Sequence, residues 1–411
     1  MSGDRAAPRP PAQPPPMAAP APPSAGRLPP RLATYAVPPP SQRGPAPPAD
    51  TPVQVAFFSK ARGVAAVPGD ASGLGPVSPP PLPADLDAGY PDGHVYDEWH
   101  ASVGEVVAAV VAVDPSLIAS ADVVTYRNNL NKIYGTSIEG HGGGGPKGWL
   151  VDGMALGGEG GENAITTAST VFLDIVYTPC DDFPGADKFM YWGSKFEALC
   201  SRDRAAAARA GRSEFCAVVD RPLAGMRVLM GAEVDGYDAE KAKAEAGTAP
   251  SSPAERRAAG IPPSAYVELK TLAWPHPGRE WSLFSWKTPK WWLQSWLGGV
   301  RSLLLGGRDA RGALVRTDSV PVDDIPAWSA RDGRARWTAG GIVGVGDGVL
   351  SWMVATARER PGVALRFEFV PNGGRMPPGR PLGTVTAREV VEEGGDGGGL
   401  EARVRTALER A

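Results

Sequence analysis

The sequence predicts a mixed α/β fold, organised as a single domain behind an irregular N-terminal tail. Several short runs rich in Val, Leu and Met are typical of buried strands, and other segments carry apolar residues at helical spacing. The order of these segments lacks the regular strand–helix alternation of a parallel sheet. Seventeen of the 44 prolines in the 411 residues fall within the first fifty. The folded part is therefore expected to follow them.

Composition divides the chain into three parts. Residues 1–52 are rich in Pro and Ala and cannot bury enough apolar surface to fold, so they are predicted to form a disordered tail. A polyproline segment that docks a partner is the alternative for this tail. Residues 53–390 form the predicted domain. Residues 391–411 alternate glycines with charged residues and are predicted to be a frayed C-terminal tail.

The predicted elements of the domain follow one another in this order. A strand at 53–58 is followed by irregular chain and by a helix at 97–113. Four strands come next, at 169–177, 214–220, 227–235 and 266–272. Residues 237–264, between the last two of these strands, are predicted to be a partly helical surface insert. The C-terminal half is expected to contain helices at 285–300 and 346–359, strands at 301–306, 312–320 and 363–370, and a turn at 307–309.

Charge and cysteine content exclude several classes of protein. Residues 1–53 carry five arginines and two aspartates, which leaves a net charge of −6 on the rest. We therefore expect no basic surface that coats a duplex, and any nucleic acid should bind in a local pocket. Cys180, Cys200 and Cys216 lack metal-ligand spacing and are typical of reduced thiols in an intracellular protein. We expect neither a membrane span nor a secretory signal.

An acidic cluster on two predicted strands is the strongest indication of chemistry. Glu268 and Lys270 flank Leu269 and project from one face of a strand, as Glu233 and Asp235 do on the preceding strand. The two strands are predicted to be neighbours, so that three carboxylates and one ammonium share a face. Carboxylates this close repel one another unless a hard cation binds, and oxygen ligands favour Mg²⁺ or Mn²⁺. The alternative is an edge strand with alternating solvated charges.

The predicted helix 285–300 offers a second candidate feature. Lys287, Lys290 and Gln294 are spaced to share one face of this helix. The residues predicted to turn toward the core are Trp292, Leu293 and Trp296. A glutamine and two lysines facing an acidic metal site could supply an oxygen ligand and phosphate contacts. An ordinary amphipathic helix with solvated lysines is the alternative.

Five short motifs occur in a fixed order along the domain. They are Tyr126-Arg127, Gly193-Ser194-Lys195-Phe196-Glu197, Glu233-Val234-Asp235, Glu268-Leu269-Lys270-Thr271 and Trp291-Trp292-Leu293-Gln294-Ser295. In this order they resemble the DXO family of decapping RNA hydrolases, which includes the fungal Rai-type proteins. The resemblance extends over about residues 54 to 372. It implies a PD-(D/E)XK nuclease-like core of two mixed β-sheets with flanking helices and a pocket between them.

The resemblance also implies an activity. Members of this family act on RNA 5′ ends in mRNA quality control. They release pyrophosphate from triphosphate ends, the cap dinucleotide from unmethylated or incomplete caps, or NAD from NAD caps, and some degrade the RNA 5′→3′. The implied protein partner is a 5′→3′ exoribonuclease, and no membrane is implied. The implied location is the nucleus, with the cytoplasm as the alternative. The alternative role is mainly to stabilise and activate that exoribonuclease, with secondary or no catalysis.

Roles for individual residues follow from the same resemblance. The implied ligands of two divalent ions, Mg²⁺ or Mn²⁺, are Glu197, Asp235, Glu268, the main-chain carbonyl of Leu269 and, through water, Gln294. The implied catalytic residues are Glu233, Asp235, Glu268 and Lys270. The implied substrate-binding residues are Arg127, Glu197, Glu233, Lys270 and Gln294. Lys270 would contact the scissile phosphate, and Arg127 would contact the 5′ end or its phosphates.

Overall fold

Two β-sheets, one of ten strands and one of five, form the framework of the described residues. The computed structural model describes residues 30–40, 47, 52–61, 64–91, 102–139, 148–157, 169–176, 185–201, 213–245, 261–274, 283–331, 333, 337–372, 379–390 and 399–409. Helices pack on both sheets. The mixed α/β class and the expectation of two mixed sheets with flanking helices are therefore confirmed.

The larger sheet combines strands from both ends of the chain. Its strands are β1 (Arg31–Val37), β2 (Val53–Ala61), β3 (Val67–Pro68), β5 (Val123–Tyr126), β6 (Trp149–Ala155), β7 (Val171–Ile175), β8 (Ser213–Leu223), β9 (Met226–Val234), β14 (Leu365–Pro371) and β15 (Gly383–Glu389). They lie in the order β1-β15-β14-β6-β7-β5-β9-β8-β2-β3. Only β5 runs parallel to its neighbours, β7 and β9, and all the other pairs are antiparallel.

The smaller sheet has five strands in the described part of the chain. They are β4 (Ala84–Asp85), β10 (Gly236–Tyr237), β11 (Tyr266–Ala273), β12 (Ser302–Arg308) and β13 (Ala313–Pro321). Their order is β10-β11-β12-β13-β4. The pair β11–β12 is parallel and the other pairs are antiparallel. The predicted turn at 307–309 begins later than expected, because Gly307 and Arg308 still pair with β13.

The helices occupy three layers around the two sheets. They are α1 (Val103–Val111), α2 (Ser116–Ala119), α3 (Arg127–Glu139), α4 (Ala186–Cys200), α5 (Ala239–Glu245), α6 (Thr288–Gly298), α7 (Ile325–Ala330), α8 (Ala339–Arg358) and α9 (Leu400–Glu409). Buried residues of α3, α6 and α8 share one hydrophobic core with residues of both sheets. Helices α1 and α9 pack on the other face of the larger sheet, and α4 packs on the smaller sheet.

Both predicted tails contain regular structure, which corrects the sequence analysis. Residues 31–37 lie in the predicted disordered tail but form β1, which pairs with β15. In the predicted frayed tail, α9 buries Leu400, Val404 and Ala407 against α1. Local composition does not predict β1 or α9, because each element is stabilised by a partner that is remote in sequence. In the two predicted tails, residues 1–29, 41–46, 48–51, 391–398 and 410–411 lie outside the described residues.

Helix α8 starts seven residues before its predicted start and is the most apolar of the long helices described. By length and composition alone, α8 could cross a membrane, whereas the sequence predicted no membrane span. In the fold, 56% of its most apolar 18-residue stretch is buried. Its buried face packs on α3 and β1 and belongs to the core shared by both sheets. Its apolar composition is thus explained by its central position.

Contact between α3 and α8 depends on a glycine. A Cβ added at Gly346 would lie 2.1 Å from Cδ1 of Tyr134, whose ring is fully buried. The Tyr134 hydroxyl donates a hydrogen bond of 2.6 Å to Asp347 Oδ1, so the ring cannot move away without losing it. The absence of a side chain at Gly346 therefore allows α3 and α8 to approach this closely.

Replacing Gly346 by alanine should destabilise the fold. We expect Gly346→Ala to lower the free energy of unfolding by about 1–3 kcal/mol, because overpacking outweighs the gain in helix propensity. Urea unfolding monitored by circular dichroism measures the change. Ser351→Ala, on the exposed side of the same helix, is the control and should stay within about 0.5 kcal/mol of wild type. Equal stability of Gly346→Ala and wild type would contradict the close helix contact.

Candidate active site

The two carboxylate-bearing strands belong to different sheets, which corrects the prediction that they are neighbours. Strand β9 ends at Val234, and after Asp235 the chain enters β10, which pairs with β11 through Gly236 and Val267. Asp235 therefore lies where the chain crosses from the larger to the smaller sheet. Its Oδ2 accepts a hydrogen bond of 2.7 Å from the backbone N–H of Leu269. This bond joins the motif of Asp235 to the motif of Glu268, although the two motifs do not lie on neighbouring strands of one sheet.

A glycine permits this crossing. A Cβ at Gly236 would lie 2.3 Å from Cγ1 of Val77 and 2.9 Å from the carbonyl oxygen of Gly75. The backbone of residues 75–77 thus runs directly against β10, and Tyr237 exchanges hydrogen bonds with Gly75 and Val77. The strand edge that holds Asp235 beside β11 is fixed by this close approach.

Glu268 is the centre of the site. Its side chain is 2% exposed. Oε1 accepts hydrogen bonds from Lys270 Nζ at 2.5 Å and from Gln294 Nε2 at 2.6 Å. On the other side, Arg127 Nη1 lies 3.7 Å from Oε2 in an ion pair. Three residues from β11, α6 and α3 therefore surround a single buried carboxylate.

Two polar atoms at this centre have no hydrogen-bond partner. They are Oε2 of Glu268 and Nη1 of Arg127, both buried. A buried polar atom without a partner is unfavourable and indicates a ligand or ion that completes it. Gly298, at the end of α6, packs against the same guanidinium, since its Cβ would lie 3.3 Å from Nη1. Oε2 and Nη1 thus lie 3.7 Å apart as an ion pair, too far apart for a hydrogen bond.

The carboxylates of the site act on one another electrostatically. The pKa of Asp235 lies well above its usual value, first because of burial and then because of the charges of Glu268 and Glu197. Burial alone would lower the pKa of Lys270, but the charges of Glu268 and Asp235 outweigh it and raise that pKa. Burial, together with Glu197 and Asp235, raises the pKa of the Cys200 thiol to about 12. The cluster therefore has excess negative charge, with Lys270 as a fixed cation.

Glu197 and Glu233 lie at the margins of this cluster. Glu197 is half-buried on α4, and its charge affects both Asp235 and Cys200. Glu233 is exposed on β9 opposite Cys216. Its charge also contributes to the raised pKa of Asp235, though as the smallest of the causes. Both residues thus lie within electrostatic reach of Asp235, and their predicted roles stay predictions.

The predicted helix face is only partly brought to the site. Gln294 contacts Glu268, and Trp292, Leu293 and Trp296 are buried as predicted. Lys290 is exposed on α6. Lys287 ends a π-helical turn, Leu283–Lys287, before α6 begins. Burial and then the charge of Arg308 lower the pKa of Lys287. Lys287 thus precedes the helix on which the shared face was predicted.

The residues of this centre fit a divalent cation. Among the described residues, no three His, Cys, Asp or Glu side chains lie close enough together to hold a metal ion. The donor set is nonetheless all oxygen, it is negatively charged, and it includes the unpartnered Oε2 of Glu268. A strand residue directs its N–H and C=O to the same edge. The Leu269 carbonyl therefore faces the same edge as the N–H that binds Asp235.

A supporting network behind Arg127 was not predicted from the sequence. Tyr126, the last residue of β5, donates a hydrogen bond of 2.6 Å to Glu105 Oε2, which also accepts one of 3.1 Å from Lys60 Nζ. This network fixes the end of β5 immediately before Arg127 begins α3. Its members come from β2, α1 and β5, so no local sequence pattern connects them. In the sequence, the Tyr126-Arg127 motif alone pointed to the place where this network lies.

Comparison with known proteins relates this geometry to a family. A family model described as RAI1 like PD-(D/E)XK nuclease matches residues 50–377. The decapping nuclease RAI1 of Aspergillus fumigatus is 24% identical over 301 residues, which covers 68% of this chain and 75% of that protein. The decapping and exoribonuclease protein of Homo sapiens is 27% identical over 334 residues, with 74% and 75% covered. The resemblance found in the sequence is thereby confirmed.

Solved structures show the same fold. S. pombe Rai1 in complex with 3′-FADP aligns with a TM-score of 0.65 at 20% identity, covering 87% of this chain and 99% of that one. Candida albicans Rai1 in complex with pU5-Mn²⁺ aligns with a TM-score of 0.63 at 14% identity, covering 92% and 99%. The family model extends over well more than half of the chain and includes every residue of the centre described above. The chain therefore belongs to the RAI1-like PD-(D/E)XK nuclease family.

Proposed function

We propose that this protein is a divalent-metal-dependent hydrolase of RNA 5′ ends. The observation that carries the proposal is Glu268, a nearly fully buried carboxylate with one unpartnered oxygen, beside Asp235 and Lys270. Relatives named as decapping nucleases, and the solved complexes of Rai1 proteins with 3′-FADP and with pU5-Mn²⁺, support this choice of substrate class. The acidic protein body is no obstacle, because bound cations would carry the positive charge that phosphates need.

Two kinds of bond at the RNA 5′ end are to be broken. Release of pyrophosphate breaks a phosphoric anhydride bond, and release of an intact cap dinucleotide or NAD breaks the phosphodiester bond to the next nucleotide. We propose release of pyrophosphate from triphosphate ends, of the cap dinucleotide from unmethylated or incomplete caps, and of NAD from NAD caps. In each case water adds to phosphorus and the P–O bond to the departing group breaks. The family resemblance in the sequence supports this range of leaving groups, and 5′→3′ degradation of the RNA body would be an additional activity.

The chain's own residues have distinct parts in this reaction. Glu197, Asp235, Glu268 and the Leu269 carbonyl would hold two ions, Mg²⁺ or Mn²⁺, with Gln294 contributing through water. When bound, such ions supply Lewis-acid stabilisation of the negative charge on the phosphoryl and leaving oxygens.

Lys270 and Arg127 contribute positive charge from the protein itself. The raised pKa of Lys270, which results from Glu268 and Asp235 outweighing burial, keeps its ammonium protonated at neutral pH, so it can donate to the scissile phosphate. Arg127, whose Nη1 lies 3.7 Å from Glu268 Oε2 and makes no hydrogen bond, can donate to a terminal phosphate. Glu233, exposed beside the cluster, would orient water or the substrate.

A role limited to stabilising a 5′→3′ exoribonuclease is the competing proposal. The charge cluster favours the enzyme, because carboxylates that repel one another are unfavourable in a protein that never binds a cation there. A dual role is fully compatible with this argument. The exoribonuclease partner and a nuclear location are proposals supported by the family resemblance alone.

Removing the central carboxylate should abolish hydrolysis. We expect Glu268→Gln to lower the rate at least about 100-fold, because it removes a ligand and the charge that anchors Lys270. The assay uses 5′-labelled RNAs with triphosphate, unmethylated cap, methylated cap, NAD or monophosphate ends, with Mn²⁺, Mg²⁺ or EDTA. Glu389→Gln, on an exposed residue at the end of β15, is the matched control and should retain full activity. Failure of wild type to cleave any end in a metal-dependent way would overturn the proposed enzyme.

Removing the repulsion at Asp235 should stabilise the metal-free protein. Because the pKa of Asp235 is raised in the folded state, the folded protein binds this proton more tightly than the unfolded chain, and stability falls as pH rises toward neutral. Asp235→Asn should therefore add about 0.5–2 kcal/mol at pH 7 in EDTA. This gain should disappear at acid pH, where wild-type Asp235 is protonated in both states.

Thermal unfolding with and without Mn²⁺ checks this expectation. Mn²⁺ should raise the melting temperature of wild type, by mass action on the folded state, and leave that of Asp235→Asn nearly unchanged. Asp323→Asn, at a site 73% exposed in a surface ion pair, is the control and should match wild type in both conditions. A destabilised Asp235→Asn protein in EDTA would show that the carboxylate is structural and contradict the repulsion.

A further inference from the structure

The position of Arg127 in the reaction centre is decided at the junction between a strand and a helix. Tyr126 is the last residue of β5, and Arg127 is the first residue of α3. The pairing of β5 with β9 ends at Tyr126, opposite Gly231. Beyond this pair, Nη1 of Arg127 lies 3.7 Å from Glu268 Oε2 and makes no hydrogen bond. The place of the guanidinium therefore depends on how firmly the backbone of the junction is held.

One face of the junction is held by hydrogen bonds to β7. Thr125 Oγ1 donates a hydrogen bond of 3.1 Å to the carbonyl oxygen of Leu173, and Asn129 Nδ2 donates one of 3.2 Å to the same oxygen. Asn129 Nδ2 also donates to Thr125 Oγ1, at 3.2 Å. Thr125 and Asn129 are fully buried. These bonds tie the first turn of α3 to the neighbouring strand.

The other face of the junction is held by a buried ion pair. The side chains of Thr125 and Tyr126 project to opposite faces of the sheet, because successive strand residues alternate. The Tyr126 hydroxyl donates a hydrogen bond of 2.6 Å to Glu105 Oε2, which also accepts one of 3.1 Å from Lys60 Nζ. Burial, first among its causes, raises the pKa of Tyr126 well above the usual value, so the hydroxyl remains a donor at neutral pH.

The ring of Tyr126 lies directly on the backbone of β9. A Cβ added at Gly231 would lie 3.1 Å from Cε1 of this ring and 2.7 Å from Cγ2 of Val106 on α1. The ring is therefore packed between the sheet and α1 before its hydroxyl makes any bond. Because the packed ring and the bonded hydroxyl are parts of one side chain, together they fix the backbone of Tyr126, to which Arg127 is attached.

Glu105, the acceptor of this bond, is itself anchored. It lies in the first turn of α1. The N–H of Val103, the first residue of α1, donates a hydrogen bond of 2.9 Å to Asp174 Oδ1, and Arg403 Nη2 of α9 donates one of 2.9 Å to Asp174 Oδ2. Asp174 is 3% exposed. The turn that carries Glu105 is thus held by β7 and by the C-terminal helix.

Stability alone gives no reason for an ion pair at this place. The side chains of Lys60 and Glu105 are 6% and 21% exposed, on the side of the larger sheet where α1 and α9 form an apolar core. Apolar side chains of similar volume in place of a buried ion pair often leave stability unchanged or raise it. Such side chains could not accept the hydroxyl of Tyr126. The pair supplies a fixed acceptor for this one donor.

We propose that Glu105, held by Lys60, is a positioning residue for recognition of the RNA 5′ phosphate. It acts through Tyr126 on Arg127, from the α1 side of the larger sheet. An arginine whose backbone is fixed from both faces loses little freedom when it binds a phosphate, so its contact contributes more to affinity than that of a mobile side chain. The proposal rests on the proposed function, since it concerns the contact proposed between Arg127 and a terminal phosphate.

The test compares the binding of RNA with and without a 5′ phosphate. Fluorescence anisotropy of 3′-labelled decauridylate in EDTA gives Kd for the 5′-monophosphate and 5′-hydroxyl forms without metal-dependent cleavage. The ratio of these two Kd values is the 5′-phosphate preference. Since a hydrogen bond between charged groups is strong, we expect wild type to have a preference of at least about tenfold, and Arg127→Met to lose it.

Tyr126→Phe removes only the hydroxyl of the network. It should lower the 5′-phosphate preference by at least about threefold and leave Kd of the 5′-hydroxyl RNA unchanged. In an Arg127→Met background the same change should alter neither Kd, because the hydroxyl acts through Arg127. Tyr134→Phe is the matched control on α3. It also removes a hydrogen bond of 2.6 Å from a tyrosine hydroxyl to a carboxylate, and it should keep the wild-type preference.

Changes at the ion pair test Glu105 itself. Glu105→Gln retains an acceptor oxygen and should keep most of the 5′-phosphate preference. The double variant Lys60→Met with Glu105→Leu replaces the buried pair by apolar side chains, which leaves no buried charge without a partner. It should fold and lower the preference by about as much as Tyr126→Phe does. Melting temperatures establish that each variant is folded, and Tyr126→Phe decides the test if the double variant is not.

The outcomes separate this proposal from the proposed function. A folded Tyr126→Phe protein with the wild-type preference overturns the positioning role, and so does an equal loss of affinity for both RNAs. Wild type without a 5′-phosphate preference overturns the contact of Arg127 and this proposal with it. In each of these cases metal-dependent 5′-end hydrolysis by wild type would still support the enzyme. A loss confined to the phosphorylated RNA supports the positioning role.

Discussion

A carboxylate placed 2% exposed inside a protein is unfavourable unless charges and hydrogen bonds compensate its desolvation. Glu268 obtains this compensation from Lys270 two residues along its own strand, from Gln294 on α6 and from Arg127 at the start of α3. The three partners belong to separate elements, so those elements must meet at one point. The compensation is also incomplete, because Oε2 has no hydrogen bond. This incompleteness gives the site its capacity for a ligand.

The compensation around Glu268 is incomplete in one direction. Carboxylates exceed cations there, and the excess negative charge suits divalent ions.

Much of the site could be predicted from local sequence because its chemistry follows strand geometry. Glu268 and Lys270 contact each other, as their i, i+2 spacing on a strand predicts, and Gln294 lies on the helix face assigned to it. The relation between Asp235 and Glu268 could not be predicted in this way, since the chain changes sheet at Asp235. Local periodicity reports which face a residue occupies and says nothing of which sheet its strand joins.

The remaining differences have the same physical cause. Lys287 has the right spacing for the face of Gln294, but it ends a π-helical turn that precedes α6. Arg127 was assigned through a family motif, because a lone arginine after a strand carries no pattern of its own. Such features arise from tertiary contacts that no window of sequence contains.

The pairing of β1 with β15 has a consequence for how the protein is made. In the described part of the chain, β1 has β15 as its one partner strand, joining Val37 to Gly383 across about 350 residues of sequence. At 5–20 residues per second, a ribosome needs roughly 17–70 s to synthesise that interval. Contacts of such separation also make folding slow, because loop closure precedes the gain from pairing. Strand β1 therefore waits for β15 to be synthesised before the larger sheet is complete.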